Sequence, residues 1–277
     1  MSASSTATGG SAGPGSSTIE VQGRKVALFT PAAVDADTAL VVVLHGYTGE
    51  AVGTAQYLGL AAAAGPRNLV VAAPQGTTDA EGNTFWNASS ACCNFDGSTV
   101  DDSAFLSTVI TAVVAQFGVD PGRVFVVGHS NGGFMAHRLA CEHADQVAAV
   151  VSLAGAMDVA GSCDPSRPVS VLQVHGEADD TILFGGGSIQ GHEYTSALTT
   201  VGRWRHLNEC AGSGQRWTPG IDADTASEGA DLTGTSWTGC ADGTSVALWR
   251  IAGGSHVPSL TPAFTDALVD WLEAHAR

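Results

Sequence analysis

Six short runs of almost unbroken apolar residues, with helical stretches between them, leave this chain few ways to fold. They are ALVVVLHG (39–46), NLVVAAPQG (68–76), RVFVVGHS (123–130), QVAAVVSLAG (146–155), VSVLQVHG (169–176) and VALWRIAGG (246–254). A strand with one wet face alternates apolar and polar residues, whereas a run without alternation reads as covered on both faces. The intervening segments DDSAFLSTVITAVVAQFG (101–118), NGGFMAHRLACEHA (131–144), YTSALTTVGRWRHLNE (194–209) and TPAFTDALVDWLEAHA (261–276) read as helices. The last of these opens with Thr261 as N-cap and Pro262 at its first helical position. Strands alternating with helices predict an α/β protein with a mostly parallel, doubly wound sheet and helices on both faces. Ahead of the first run, STIEVQGRKVALFTP alternates around Gly23, which predicts an antiparallel hairpin at a sheet edge.

Residues 1–17, MSASSTATGGSAGPGSS, read as a disordered leader or linker, and residues 18–277 as one domain. The polar stretch 210–245, rich in Gly, Thr and Asp, reads as a loop or excursion tied at its ends by Cys210 and Cys240. The leader has neither the charged start nor the apolar centre of a signal peptide. Six cysteines nevertheless suit an oxidising compartment, so a secreted or periplasmic protein whose targeting segment was removed or replaced is expected.

Eleven Lys and Arg face 27 Asp and Glu, a formal net charge of -16 that repels nucleic acid and anionic membranes. No apolar run approaches the roughly 20 residues that span a bilayer. The cysteines lack C-x-x-C spacing and the histidines form no H-E-x-x-H, so no metal is expected.

One serine stands out against this frame. Ser130 in VVGHSNGGFMAHRLA (126–140) matches G-x-S-x-G, but 35 Gly and 24 Ser in 277 residues would give on the order of 0.4 matches by chance. GGSAG at 9–13 also matches. A nucleophile elbow needs a strand ending at the serine and a helix starting after it, and only Ser130 has both. A serine hydroxyl also needs a histidine base and a carboxylate to orient that base. In chain order Ser, acid, His, each at the end of a strand, the candidates are Asp179 or Asp180 in EADD and His256 after the last apolar run. His137, His143 and His206 lie within predicted helices, and His175 closes a strand before the acid loop. The amides of Asn131, at a helix N-terminus, and of Tyr47, in LHGYTG (44–49), are the expected oxyanion donors.

Each feature has a plain structural alternative, since Gly-Ser turns, capping Asp residues and loop histidines are common. Four of them in the required order favour chemistry over coincidence.

The stretches LHGYTG, APQGTTDAEGNTFWNASSACCNFDGSTVDDSAFL, VVGHSNGGFMAHRLACEHAD, VHGEADDTILFGGG, NEC, WTGC and GGSHVP cover nearly everything after residue 20. In them the chain resembles the esterase branch of the α/β-hydrolases that holds polyhydroxybutyrate depolymerases and feruloyl or acetylxylan esterases. The resemblance implies an α/β-hydrolase fold with Ser130 as nucleophile, Asp179 as acid and His256 as base, and no cofactor. It also implies substrate contacts from His45, Trp86, Asn87 and His129, and a helix facing the cleft that begins at Asp101 and Asp102. The residues themselves favour N-terminal capping and dipole compensation as the role of that acidic pair. By the same resemblance Cys210 pairs with Cys240 and Cys141 with Cys163, while Cys92 and Cys93 form a vicinal ring or bond elsewhere. The implied activity is a secreted, monomeric carboxylesterase acting on short-chain or aryl esters, of small molecules or polymers, through an acyl-enzyme. Two alternatives stand beside it: a polyester depolymerase, and a non-catalytic carbohydrate-binding protein using exposed Trp217 and Trp237.

Overall fold

A computed structural model describes residues 15–277. The serine motif at 9–13 and most of the expected leader lie outside the described residues. Residues 15–17, expected in the leader, instead open the first strand, β1 (Gly15–Val21), which pairs antiparallel with β2 (Arg24–Thr30) around the turn at Gly23.

The six apolar runs form β3 (Ala39–Leu44), β4 (Leu69–Pro74), β7 (Val124–His129), β8 (Ala149–Leu153), β9 (Ser170–Gly176) and β14 (Val246–Ile251). They lie side by side and parallel in the order β4-β3-β7-β8-β9-β14. Two-residue periodicity splits each strand between two cores. From β3, Leu40, Val42 and Leu44 enter one cluster with α3 (Asp102–Phe117), α4 (Asn131–Glu142) and α5 (Ala197–Leu207). Val41 and Val43 enter the other, with α1 (Ala51–Tyr57), α2 (Leu60–Ala63) and α6 (Pro262–Glu273). These strand side chains are fully buried, and each such Val or Leu contributes roughly 1.5–3 kcal/mol of transfer free energy. That is why polar residues are scarce in the runs.

The helix starts follow their caps. Thr261 accepts from the Phe264 amide at 3.2 Å, Asp101 from Ala104 at 3.0 Å, and Ser196 from Thr199 at 3.0 Å. Ser196 therefore delays α5 past the expected start at 194, because Tyr194 ends a small hairpin of β10 (Gly187–Ile189) and β11 (His192–Tyr194). A second small hairpin joins β5 (Thr77–Thr78) to β6 (Thr84–Phe85).

The stretch expected as a loop or excursion, 210–245, is irregular over most of its length but not throughout. It contributes β12 (Gln215–Trp217) and β13 (Leu232–Trp237), which extend the sheet antiparallel beyond β14 and complete ten strands with β1 and β2 at the other side. All six cysteines are paired, Cys92 with Cys93, Cys141 with Cys163 and Cys210 with Cys240. Among the described residues no helix is long and apolar enough to cross a membrane.

Candidate active site

Four loops leave the carboxyl ends of parallel strands β3, β7, β9 and β14, the rim where open α/β sheets place ligands. Between β7 and α4, Ser130 has φ 55 and ψ -121, a left-handed conformation costly for a residue with a side chain. Its amide donates to Leu153 O at 2.8 Å, and its carbonyl accepts from the Gly133 and Phe134 amides, so both neighbouring elements hold the strained turn. Gly132 is required by close approach: a Cβ there would run into the backbone carbonyls of Leu44 and His45. The β3 loop therefore lies directly over the start of α4, and a Cβ on its Gly46 would sit 3.2 Å from Ser130 Cβ.

Ser130 Oγ is 2.9 Å from His256 Nε2, and His256 Nδ1 is 2.9 Å from Asp179 Oδ2. Asp179 is buried and its Oδ1 accepts from the amides of Thr181 and Ile182, both at 2.9 Å. Burial alone would push this carboxyl up, but hydrogen bonds from His175 and His256, the His256 charge and the Thr181 amide hold it well below the usual carboxylate range. Asp180 is exposed and meets only Thr181 Oγ1, at 3.3 Å. Among the described residues, neither the Tyr47 amide nor the Asn131 amide has a hydrogen-bond acceptor. The Tyr47 loop is clamped from outside by Tyr47 Oη donating to Asp79 at 2.8 Å and Thr48 N donating to Thr84 O at 2.8 Å.

The structure places the four expected substrate contacts against the loops that carry Ser130 and His256 or behind them. His45 and Trp86 are fully buried. Nε2 of His45 accepts from the Gly76 amide at 2.8 Å, and the Trp86 indole donates to His45 O at 3.0 Å. Both brace the Tyr47 loop from beneath. The Asn131 side chain completes that brace, accepting from Trp86 N at 2.7 Å and donating to Trp86 O at 3.0 Å. Asn87 spends its side chain on the carbonyls of Ser98 and Val100. It borders a cavity of about 340 Å³ whose lining includes neither Ser130 nor His256. His129 is buried and donates from Nε2 to His256 O at 2.9 Å. Burial lowers both His45 and His129 to about 4, so near neutral pH they brace the site uncharged.

Asp101 caps α3 and Asp102 stands in its first turn, as the residues predict, but Asp102 also makes contacts of its own. Fully buried, it binds Arg24 of β2 at 2.6 Å and accepts from the Asn87 amide at 2.7 Å and Thr77 Oγ1 at 3.2 Å. Trp217 and Trp237 are half-buried, one edge-on to Trp249 and the other beneath the Arg205 guanidinium. They form no exposed platform.

Reading the sequence missed Tyr57 and Asp79. Tyr57 packs edge-on against His129 and donates to Pro258 O at 3.0 Å, pinning the loop that carries His256. Neither residue carries a spacing signal that could have revealed it. Gln173 was also missed, and His175 was placed only as the close of a strand, although two polar residues on one side of an apolar strand are visible as such.

Comparison with known proteins agrees with this architecture. Among solved structures, an acetyl xylan esterase from Aspergillus awamori superposes with a TM-score of 0.64 at 17% identity, covering 90% of this chain and 93% of that one. The Bacillus cereus carboxylesterase gives 0.58 at 12% identity over 91% and 94%. Such likeness shows the α/β-hydrolase fold. Feruloyl esterase B of Piromyces equi is 28% identical over 246 residues, which are 84% of this chain and 42% of that protein. The putative esterase NocK of Nocardia uniformis subsp. tsuyamanensis is 36% identical over 148 residues, 53% of this chain and 42% of that protein. The chain thus matches less than half the length of these two relatives. The family profile described as phospholipase/carboxylesterase matches residues 28–210, and the chain belongs to that family.

Proposed function

We propose that the protein is a secreted serine carboxylesterase acting on short-chain or aryl esters, of the feruloyl or acetylxylan type, with Ser130, His256 and Asp179 as its triad. One observation carries the reading: a strained serine whose Oγ is 2.9 Å from a histidine that is itself 2.9 Å from a buried carboxylate. His256 takes the Ser130 proton as Oγ attacks the ester carbonyl, and Asp179 stabilises the imidazolium that results. The unpaired amides of Tyr47 and Asn131 receive the developing oxyanion, a contribution of roughly 3–4 kcal/mol per donor in comparable sites. His256 then protonates the leaving alcohol, and water discharges the acyl-enzyme by the same steps. Three disulfides support an oxidising destination. The kinship with feruloyl esterase B supports the choice of substrate class.

The test is a fluorophosphonate label with a substrate panel of methyl ferulate, acetylated xylan and polyhydroxybutyrate film. The wild type is expected to be labelled at Ser130 and to cleave the first two substrates. Ser130→Ala should lose both labelling and turnover while staying folded. Labelling elsewhere, or turnover surviving in Ser130→Ala, would remove the proposal, and cleavage of the film alone would move it to a polyester depolymerase.

A further inference from the structure

The face of β9 turned toward α4 and α5 carries two polar residues, Gln173 and His175, both completely buried. His137 on α4 and Trp204 on α5 are buried beside them. Their hydrogen bonds join into a single file. Trp204 Nε1 meets His137 Nδ1 at 3.0 Å, and His137 Nε2 meets Gln173 Oε1 at 3.0 Å. Gln173 Nε2 meets Gly155 O at 2.9 Å and His175 Nδ1 at 3.2 Å. His175 Nε2 lies 2.7 Å from Ile182 O and 3.3 Å from Asp179 Oδ2.

The direction of the file is forced by its fixed members. An indole nitrogen can only donate, so His137 Nδ1 accepts and its proton sits on Nε2. A backbone carbonyl can only accept, so the Gln173 amide nitrogen faces Gly155 and its oxygen faces His137. His175 Nδ1 then accepts as well, which leaves its one proton on Nε2, donated to Ile182 O with Asp179 Oδ2 beside it as a second, more distant acceptor.

We infer that His175 is a positioning residue for the acid of the triad, its Nε2–H holding Asp179 Oδ2 in line with His256 through a tautomer fixed by the file running back to Trp204. The inference rests on the serine esterase reading above. Two amides hold Oδ1 and His256 meets Oδ2, which leaves His175 as the second side chain set against Oδ2. A carboxylate buried this fully also needs each lone pair satisfied. Apolar side chains would fill the same space without the risk of an unmet donor, so the file answers a need of the carboxylate rather than of packing.

The experiment combines nitrogen NMR of the histidine rings with kinetics on p-nitrophenyl acetate. In the wild-type protein His137 and His175 are expected to read as Nε2–H tautomers, and a proton on His175 Nδ1 overturns the inference without any substitution. His175→Phe should lower kcat by about 10- to 100-fold with KM within about twofold. His175→Gln, whose amide nitrogen can reach the same two acceptors, should recover most of that loss. The far-downfield proton of the His256–Asp179 bond should broaden in the Phe variant and return in the Gln variant. A merely structural role predicts equal losses in both, in step with their melting temperatures, and that result or a wild-type kcat in folded His175→Phe overturns the assignment. Ser130→Ala is measured alongside: activity there sinks the esterase reading, whereas an inactive Ser130→Ala beside a fully active His175→Phe sinks only the role of His175.

Discussion

Neighbouring carboxylates with opposite surroundings make the sharpest test of the site. Asp179 is buried with two amides on one oxygen and His256 on the other, whereas Asp180 is exposed. An amide at 179 would set N–H against the N–H of His256 or turn the ring to its other tautomer, and Nε2 could then no longer take the Ser130 proton. Asp179→Asn is expected to lower kcat by about 10⁴-fold, and Asp180→Asn to leave kcat/KM within about twofold because it touches no reacting group. Steady-state rates on a soluble aryl ester decide this, and the opposite ranking would transfer the acid role to Asp180. The residues of EADD leave the choice open. What separates the two positions is which side chain turns inward at the end of β9, a matter of tertiary packing that local spacing does not encode.

At the scale of elements, legibility follows burial. The parallel strands were readable because both faces are covered, which forces continuous apolar runs such as Ala39–Leu44. Strand β13 was not readable, because Thr233 and Thr235 face outward and Gly234 lies beneath Trp217 in place of a large apolar residue. The same holds for α1 and α2, where Gly53 and Gly59 interrupt a short, alanine-rich segment. The approach of Ser130 and His256 to 2.9 Å was legible from strand ends and chain order. The bracing role of Trp86 and His45 was not, since a motif residue can turn into the core or into the cleft without any change of spacing. The β12–β13 extension carries its own prediction. Cys210 and Cys240, 30 residues apart, close it against the end of α5, and cross-linking a loop of that size restricts the unfolded chain by about 2–4 kcal/mol. Replacing both cysteines by serine should lower stability to urea by that amount while kcat stays near wild type, because no reacting group sits on these strands. An unchanged urea midpoint would show that the sheet edge holds without the bond.

At the scale of the whole molecule the buried histidines set the response to acid. Burial lowers His45, His129 and His137 from 6.5 to about 4 in the folded protein. Between those values the unfolded chain binds protons at these sites and the native state does not, so stability rises with pH across this window and is lost as pH falls from 6.5 toward 4. Each group can contribute up to about 1.4 kcal/mol per pH unit there. Asp179 does not oppose this, because a carboxyl held low in the native state loses its contribution only at still lower pH. The net charge of -16 does oppose it, since protonating surface carboxylates near pH 4 relieves self-repulsion. Salt separates the two effects: it screens exposed charges over about 10 Å at 0.1 M and leaves the buried rings untouched. Urea midpoints measured from pH 7 to pH 4 should therefore fall steadily, and at least as steeply in added salt. A midpoint that stays level in high salt would mean that the three rings accept protons without leaving their buried hydrogen bonds, and the bracing of the Tyr47 loop by His45 and of the His256 loop by His129 would then have to be rethought.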